Sequence, residues 1–266
     1  MSLPPPNPAS TCLITGASSG IGADIARELA GRGHGVTLVA RRADRLRELA
    51  DELHQRHGIR AEVIACDVTD ATARSELLER VADTGLRTEV LVNNAGFGTA
   101  GAFVELDGDR EVQMVRTNVE AVVALAHGVA PGMVERGRGA ILNLASSAAF
   151  QPIPNQATYA ASKAFALSFS EALSSELGGT GVTVTAVCPG PVRSEFVKAA
   201  AMEDAAAQSP DFLWISSAAC AKAAVEGLEL GRRVVVPHLP VRAGVTLSRY
   251  APHSILLPLM RRFYPA

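Results

Sequence analysis

Short apolar runs alternate with longer stretches of mixed apolar and polar residues, from about residue 11 almost to the end of the chain. The runs are rich in Val, Ile and Leu, which is typical of parallel strands that are covered on both faces. Such alternation is the rhythm of β-α-β units. It predicts seven strands, at residues 12–15, 36–40, 61–66, 90–92, 140–144, 182–187 and 233–236.

The stretches between these strands have helical periodicity. Ile21, Ile25 and Leu29, for example, recur at intervals of four and form one apolar stripe. No linker, repeat or low-complexity segment divides the chain. The predicted fold class is therefore α/β: a single doubly wound, Rossmann-type domain whose parallel sheet of about seven strands has helices on both faces.

Three segments lie outside this rhythm. Residues 1–10 contain four prolines and predict a flexible N-terminal arm, so the catalytic domain is expected to span residues 11–236. Residues 194–217 follow the sixth strand, with helical fragments around 199–207, and an insertion at that place is expected to cover the ligand crevice as a lid. Residues 237–266 predict a basic, apolar C-terminal extension made of short surface segments.

The composition describes a soluble globular protein of 266 residues, 48% hydrophobic and 20% charged. Because 25 Lys and Arg are balanced by 27 Asp and Glu, no basic face for nucleic acid is expected. The longest uncharged stretch, residues 139–162, contains amides and prolines that argue against a membrane span. Four widely spaced cysteines lack metal-ligand spacing, which predicts buried reduced thiols, no metal site and a cytoplasmic location.

A glycine-rich turn joins the first strand to the first helix. Its sequence is Thr-Gly-Ala-Ser-Ser-Gly-Ile-Gly, and glycines at such a turn let the backbone approach a pyrophosphate while the helix N-terminus faces the anion. The absence of a Gly-Lys-Ser/Thr sequence argues against a triphosphate P-loop. The turn therefore predicts a dinucleotide site with these cofactor-binding residues: Gly16, Ser18, Ser19, Gly20, Ile21 and Gly22.

The end of the second strand indicates which dinucleotide is bound. An acidic residue at this place would bind a ribose 2'-hydroxyl, but the strand is followed by Arg41 and Arg42, which suit a 2'-phosphate. NADP(H) is therefore the predicted cofactor, and a solvated helix start is the alternative role for the two arginines. Asp67 and Val68 follow the third strand and are assigned to the adenine end, with helix capping as the alternative role of Asp67.

Polar residues also follow the later strands. Asn94, Ala95 and Gly96 follow the fourth strand, and Ser146 follows the fifth. Tyr159 and Lys163 are four residues apart and share one helix face, so the ammonium is expected beside the phenol, where a cation stabilises the phenolate.

One polar residue interrupts a predicted helix. Asn118 lies in a long apolar helix, where it is expected to bond a neighbouring backbone group or to hold a functional water.

Taken together, these motifs resemble the short-chain dehydrogenase/reductase family over about residues 10–236, in order and at the family's spacings. The resemblance implies a catalytic tetrad. Tyr159 would be the proton donor or acceptor, Ser146 would polarise the carbonyl, and Lys163 would lower the tyrosine pKa and hold the nicotinamide ribose. Asn118 would position a water of the proton relay.

The resemblance also implies a nicotinamide loop, with Pro189, Gly190, Val192 and Ser194 as cofactor-binding residues. Ser194 stands where the family usually has threonine. Serine keeps the hydroxyl and lacks the methyl group. The basic tail and the Ala-Arg-Arg run look most like the family's bacterial ketoacyl-reductase branch, a label that does not identify the substrate.

The predicted function is NADP(H)-dependent hydride transfer to the carbonyl carbon of an apolar ketone or 3-oxoacyl substrate, with alcohol oxidation as the reverse. An apolar substrate pocket is expected from these residues: Phe150, Ile153, Phe196, Phe212, Leu213 and Trp214. The alternatives are a sugar-nucleotide epimerase or dehydratase, which usually has a larger substrate domain, and a cofactor-binding sensor without turnover.

Two surfaces are expected to make further contacts. The helix at 157–177 has an apolar stripe, Phe165, Phe169, Leu173 and Leu177, which predicts a homodimer or homotetramer, with packing on its own sheet as the alternative. Residues 232–266 contain six arginines and no acidic residue. We expect this segment to dock on a subunit or to close the pocket, and peripheral contact with an anionic lipid surface is the alternative.

Overall fold

A central parallel sheet organises the computed structural model, which describes residues 3–196, 210–251 and 253–263. Seven strands form this sheet in the order β3-β2-β1-β4-β5-β6-β9, and β7 pairs with β8 in a second, two-stranded sheet. The strands are β1 (Ser10–Thr15), β2 (Val36–Ala40), β3 (Ala61–Ala65), β4 (Arg87–Asn93), β5 (Gly139–Leu144), β6 (Val182–Val187), β7 (Val192–Arg193), β8 (Ile215–Ser216) and β9 (Val234–Val235).

Helices cover both faces of the sheet. Along β1 the side chains alternate, so that Cys12 and Ile14 join one buried apolar cluster and Leu13 joins the other. The predicted doubly wound fold is thus confirmed. The helices are α1 (Gly20–Gly31), α2 (Ala43–His57), α3 (Ala71–Asp83), α4 (Gly108–Val115), α5 (Ala121–Glu135), α6 (Ala157–Glu176), α7 (Ser217–Glu229), α8 (Leu239–Tyr250) and α9 (His253–Phe263).

The strand order reverses at β1, which lies between β2 and β4. Ile14 is in register with Leu38 of β2 on one side and with Val92 of β4 on the other. The chain leaves these carboxyl ends in opposite directions, which opens a crevice where ligands bind in such sheets. The glycine-rich turn, Arg41 and Asn94 all follow these three strand ends.

The N-terminal arm differs from expectation where the structure describes it. Leu3 is buried in the apolar cluster that also contains Ile25 and Leu29. The Ala9 carbonyl accepts a hydrogen bond of 3.0 Å from the Arg87 amide. The described part of the arm is therefore anchored to the domain at Leu3 and Ala9, where the sequence predicted a flexible segment.

The C-terminal extension forms α8 and α9. Val241, Val245 and Leu256 are buried, whereas Leu239 and Leu247 are largely exposed. Helix α8 packs beside the short 3-10 helices Ser147–Phe150 and Asp211–Leu213, which flank the crevice. The extension thus turns one apolar face toward its own domain.

Part of the predicted lid lies outside the described residues, including the fragments around 199–207. Its described ends are residues 194–196, which follow β7, and residues 210–217, which contain β8. In the described parts of the chain, we find no helix with the length and apolar character needed to cross a bilayer.

Candidate active site

The glycine-rich turn is held against the end of β4 by Asn94. Its side-chain amide donates to the carbonyls of Thr15 (2.9 Å) and Gly16 (3.2 Å). Gly16 has a φ of +66°, and a Cβ atom there would lie 2.7 Å from the Asn94 amide nitrogen. Only glycine fits so close an approach.

The start of α1 is suited to an anion. Ser19 precedes this helix, and its side chain does not cap the first turn. Gly20 and Ile21, the first residues of α1, line the crevice, and free backbone N–H groups at a helix start bind phosphate. These residues fit the pyrophosphate of a dinucleotide.

The two arginines after β2 have different surroundings. Arg42 donates to the hydroxyls of Ser18 (2.9 Å) and Ser19 (2.8 Å), so its guanidinium lies over the glycine-rich turn. The Arg41 side chain is 78% exposed and lies 4.0 Å from Asp67. Arg42 is therefore already positioned at the cofactor site, whereas Arg41 extends into solvent.

Asp67 is not a helix cap. Its carboxylate accepts from the backbone amide (3.0 Å) and the hydroxyl (2.8 Å) of Thr69. The cap of α3 is Asp70, which accepts from the Ala73 amide. Although burial opposes ionisation, the hydrogen bonds from Thr69 and the charge of Arg41 hold the pKa of Asp67 below its usual value.

Tyr159 and Lys163 occupy one face of α6 and are both buried. The Lys163 ammonium is 5.9 Å from the centroid of the Tyr159 ring. Ser146 lies at the end of β5, where its hydroxyl accepts from the Ala148 amide at 3.1 Å and starts a 3-10 helix. The helix and the strand end thus bring a phenol, an ammonium and a hydroxyl to the same crevice.

Asn118 lies in a π-helical turn, Arg116–Glu120, between α4 and α5. Its side-chain oxygen accepts from the Phe97 amide (3.2 Å), and its nitrogen donates to the Phe97 carbonyl (3.0 Å) and to Ser162 (3.0 Å). Asn118 is 1% exposed. Of the two expected roles, the structure shows the bond to neighbouring backbone, and single π turns of this kind are frequent at functional sites.

The loop after β6 passes beside the segment that follows β5. The Pro189 carbonyl accepts from the Ser147 amide at 2.8 Å. A Cβ atom on Gly190 would lie 2.5 Å from Val241 of α8, and one on Gly20 would lie 3.4 Å from Ser194. This loop therefore connects the C-terminal extension with the glycine-rich turn.

A single cavity of about 630 Å³ brings these parts together. All the residues predicted for the site line it except Gly22 and Asn118, which lie behind its wall. Gly22 packs against Asn94 and Gly16. A side chain at this position would collide with the turn, so glycine is needed there for packing and not for contact with the cofactor.

Comparison with known proteins identifies the family. The family model described as short chain dehydrogenase matches residues 10–205. The chain belongs to the short-chain dehydrogenase/reductase family. A sulfoacetaldehyde reductase 2 of Chromohalobacter salexigens is 41% identical over 186 residues, which are 69% of this chain and 73% of that protein.

Solved structures agree with this membership. A short-chain dehydrogenase from Sphingobium yanoikuyae in complex with NADPH is 33% identical and has a TM-score of 0.80, covering 94% of this chain and 95% of that one. A bulky-bulky ketone specific alcohol dehydrogenase from Comamonas testosteroni is 32% identical, with a TM-score of 0.76 over 92% and 100% of the two chains. This short-chain dehydrogenase/reductase is therefore an oxidoreductase of CH–OH and C=O groups that uses a nicotinamide cofactor.

The substrate side of this short-chain dehydrogenase/reductase is less apolar than expected. Ile153, Phe196 and Trp214 line the cavity, whereas Phe150 packs into a separate apolar cluster and Phe212 is 65% exposed. Leu213 also lies outside the lining, so half of the predicted apolar residues were assigned wrongly. Sequence reasoning missed these polar lining residues: Arg110, Gln113, Thr117, Ser147, Gln151 and Gln156.

Two further lining residues that sequence reasoning missed, Phe97 and Glu195, had a signal in the sequence. Phe97 follows the Asn-Asn-Ala-Gly turn directly, and Glu195 follows Ser194, so both adjoin motifs that had already been placed at the site. Arg110 and Gln113 belong to a helix face whose orientation the periodicity does not give. All four cysteines are buried and unpaired, as expected. Among the described residues, no group of three His, Cys, Asp or Glu side chains could hold a metal ion.

Proposed function

We propose that this chain is an NADP(H)-dependent ketone reductase, in which Tyr159 gives a proton to the oxygen of an apolar ketone or 3-oxoacyl substrate, or removes it in the reverse direction. The observation that carries this proposal is the shared cavity. Tyr159, Ser146 and Lys163 line the same space as Arg42 and the glycine-rich turn. A reacting carbonyl and a dinucleotide would therefore meet there.

The cofactor preference rests on charge. Arg41 and Arg42 offer guanidinium groups where an NAD-specific site has a carboxylate, and guanidinium binds phosphate through charge-assisted hydrogen bonds. The NADPH complex of the Sphingobium yanoikuyae relative is consistent with this preference. We therefore assign the 2'-phosphate to Arg42 first, because its guanidinium already lies over the turn, and to Arg41 second.

When bound, the nicotinamide would supply or accept the hydride. The chain's own groups then handle the oxygen and its proton. The Tyr159 hydroxyl donates the proton, and Ser146 donates a hydrogen bond that polarises the carbonyl. The Lys163 cation favours the phenolate that forms and would hold the nicotinamide ribose. Asn118 holds the Phe97 backbone at the cavity wall and would position the water of the proton relay.

The substrate is proposed to be apolar around its carbonyl and polar farther away. Phe97, Ile153, Phe196 and Trp214 supply an apolar part of the lining, and Gln113 and Gln151 supply amide groups. The names of two relatives support an apolar and a polar part of the substrate. One relative is specific for bulky ketones, and the other is a sulfoacetaldehyde reductase. Ketone reduction is the proposed physiological direction.

A panel of carbonyl compounds tests this function. Bulky ketones, 3-oxoacyl thioesters and small aldehydes are offered with NADPH or NADH, and absorbance of the reduced nicotinamide is followed. We expect turnover of at least one apolar ketone with NADPH, and turnover reduced by about 100-fold or more with Tyr159→Phe. Sugar nucleotides serve as the comparison class, and turnover of these alone would contradict the proposal.

We also propose a homodimer or homotetramer in the cytoplasm. Phe165 is 39% exposed, and Val112 and Val115 on the neighbouring α4 are also exposed, which supports a subunit contact there. Phe169, Leu173 and Leu177 pack partly against their own sheet, as the alternative reading expected. Light scattering that gives a monomer mass at micromolar concentration would contradict the oligomer.

The C-terminal extension is proposed to dock on protein. Val241 and Val245 face the domain, and α8 supports the wall of the cavity, although none of the described residues of α8 or α9 lines it. Flotation with anionic vesicles distinguishes this from lipid contact. We expect the protein to stay in the unbound fraction.

A further inference from the structure

Glu195 binds the arginine that we assign to the 2'-phosphate. Its carboxylate is 3.1 Å from Arg42 and 2.7 Å from Arg45. Glu195 and Arg42 are 153 residues apart in sequence, so this contact joins the described start of the lid to the end of β2. Both side chains line the cavity. A carboxylate is thus bound at the place where the proposed cofactor would bring a phosphate.

The charge on Glu195 is permanent at physiological pH. Arg45 and Arg42 donate hydrogen bonds to the carboxylate and lower its pKa to about 2. Arg42 has one guanidinium with five N–H donors, and it already donates to Ser18 and Ser19. A 2'-phosphate on this group would add about two negative charges beside a carboxylate that is itself ionised.

We propose that Glu195 is a specificity residue that competes with the 2'-phosphate of the cofactor for Arg42. Binding of a phosphorylated dinucleotide transfers Arg42 from Glu195 to the phosphate, and Arg45 keeps the carboxylate. A dinucleotide without the 2'-phosphate leaves the Glu195 contact with Arg42 in place. This inference rests on the proposed cofactor site and adds a residue that weakens the preference for NADP(H).

The neighbours of Glu195 give this competition a consequence at the catalytic end. Phe196 packs on the Tyr159 ring, with 5.8 Å between the ring centroids. Ser194 lies against Gly20 of the glycine-rich turn. Three consecutive residues therefore contact the phosphate turn, the 2'-phosphate arginine and the catalytic tyrosine. Glu195, which binds Arg42, is therefore joined directly to the residue that packs on Tyr159.

The test measures binding of two adenosine nucleotides by titration calorimetry at one salt concentration. Adenosine 2',5'-bisphosphate carries the 2'-phosphate, and 5'-AMP lacks it. We expect Glu195→Gln to bind the bisphosphate about 3-fold to 10-fold more tightly than the wild type, because an exposed ion pair and a like charge are removed. Binding of 5'-AMP is expected to stay within about 2-fold, because this nucleotide has no 2'-phosphate to compete for Arg42 and independent sites couple by no more than that.

A matched control removes the same charge elsewhere. Glu48 is exposed on α2, near Arg45 but outside the cavity lining. Glu48→Gln is expected to leave binding of both nucleotides unchanged. In an Arg42→Ala background, Glu195→Gln is expected to lose most of its effect, since the competed group is gone.

The outcomes separate the two proposals. If Glu195→Gln leaves the bisphosphate affinity unchanged or lowers it, while the wild type still prefers the bisphosphate, the competition is refuted and the NADP(H) assignment stands. If the wild type has no preference but Glu195→Gln acquires one, the competition is supported and the proposed NADP(H) preference fails. If Glu48→Gln raises the affinity for the bisphosphate as much as Glu195→Gln does, the effect comes from net charge alone. That outcome would refute the specific role of Glu195.

Discussion

The ammonium of Lys163 donates a hydrogen bond of 2.8 Å to the carbonyl oxygen of Leu144, the last residue of β5. Lys163 is only 5% exposed, so its charge lies in the protein interior at the cavity wall. Burial lowers the pKa of Lys163 from 10.5 to about 8. The hydrogen bond holds the Lys163 ammonium at the end of β5, and the loss of its hydration by burial makes the charged form unfavourable in the folded protein.

The first prediction concerns stability and pH. Between about pH 8 and 10.5 the unfolded chain keeps the Lys163 proton that the folded protein has lost, so stability rises with pH in this window. At about 1.4 kcal/mol per pH unit, the rise attributable to Lys163 is at most about 3 kcal/mol. Urea denaturation gives the free energy of unfolding of the wild type and of Lys163→Met at pH 7.5 and at pH 10. The difference between the two proteins is expected to change between these pH values by the amount attributable to Lys163.

The control for this prediction is Lys222→Met, since the Lys222 side chain is 66% exposed. Its difference from the wild type is expected to change less between the two pH values than that of Lys163→Met, because the Lys222 side chain is in contact with water. If the difference in unfolding free energy between the wild type and Lys163→Met is the same at both pH values, burial does not disfavour the charged form of Lys163.

The second prediction concerns Tyr159→Phe. The variant loses only the hydroxyl, so cofactor binding is expected to persist while turnover falls about 100-fold or more, as for loss of a general acid. Nicotinamide fluorescence measures binding, and single-turnover kinetics measure the chemical step. Near wild-type turnover would exclude Tyr159 as the proton donor.

The third prediction concerns Arg41→Ala combined with Arg42→Ala. We expect NADPH binding to weaken about 10-fold to 100-fold and NADH binding to change little, because one charge-assisted hydrogen bond contributes about 1.5–3 kcal/mol. Arg42→Ala alone is expected to account for most of the loss. Arg47→Ala is the matched control, since Arg47 is exposed on α2 and does not line the cavity. Equal weakening for both cofactors would make the arginines structural.

The fourth prediction concerns Asn118→Ala. The variant leaves the amide and carbonyl of Phe97 without their side-chain partners, and each buried unpaired group costs about 1–3 kcal/mol. Urea denaturation is expected to show a loss of about 2–4 kcal/mol. Ser162→Ala removes only one of the three Asn118 bonds and is expected to cost about 1 kcal/mol. Equal losses would assign the stabilisation to Ser162 instead.

The fifth prediction concerns the contact between Gly190 and α8. Gly190→Ala places a methyl group against Val241 and is expected to destabilise the fold by about 1–3 kcal/mol. Adding Val241→Ala should make the double variant more stable than the sum of the single effects predicts. Gly244→Ala is the control, because nothing lies within 4 Å of a Cβ there. Strict additivity would show that the two residues do not touch.

The strands and helices of the domain could be predicted because the pattern of apolar residues that specifies each of them lies within a short segment of the chain. Seven apolar runs became seven strands with ends shifted by at most three residues, as at β4, which was predicted at 90–92 and is Arg87–Asn93. The glycine-rich turn and the Tyr159 to Lys163 spacing were also local patterns. By contrast, the side chain of Asn118 bonds to the backbone of Phe97, 21 residues away, and periodicity cannot show such a contact.

The sequence by itself determined the strands of the sheet, the family's motifs and the residues that follow the strand ends. These features are predictable because the repeat of apolar residues and the short spacings between motif residues lie within one helix, strand or turn. Only the tertiary structure decided that Leu3 is buried, that Phe150 lies outside the cavity and that Glu195 binds Arg42. These facts depend on which elements pack together across many residues of chain. Contacts of that kind arise from the summed burial of the whole domain, so no single segment encodes them.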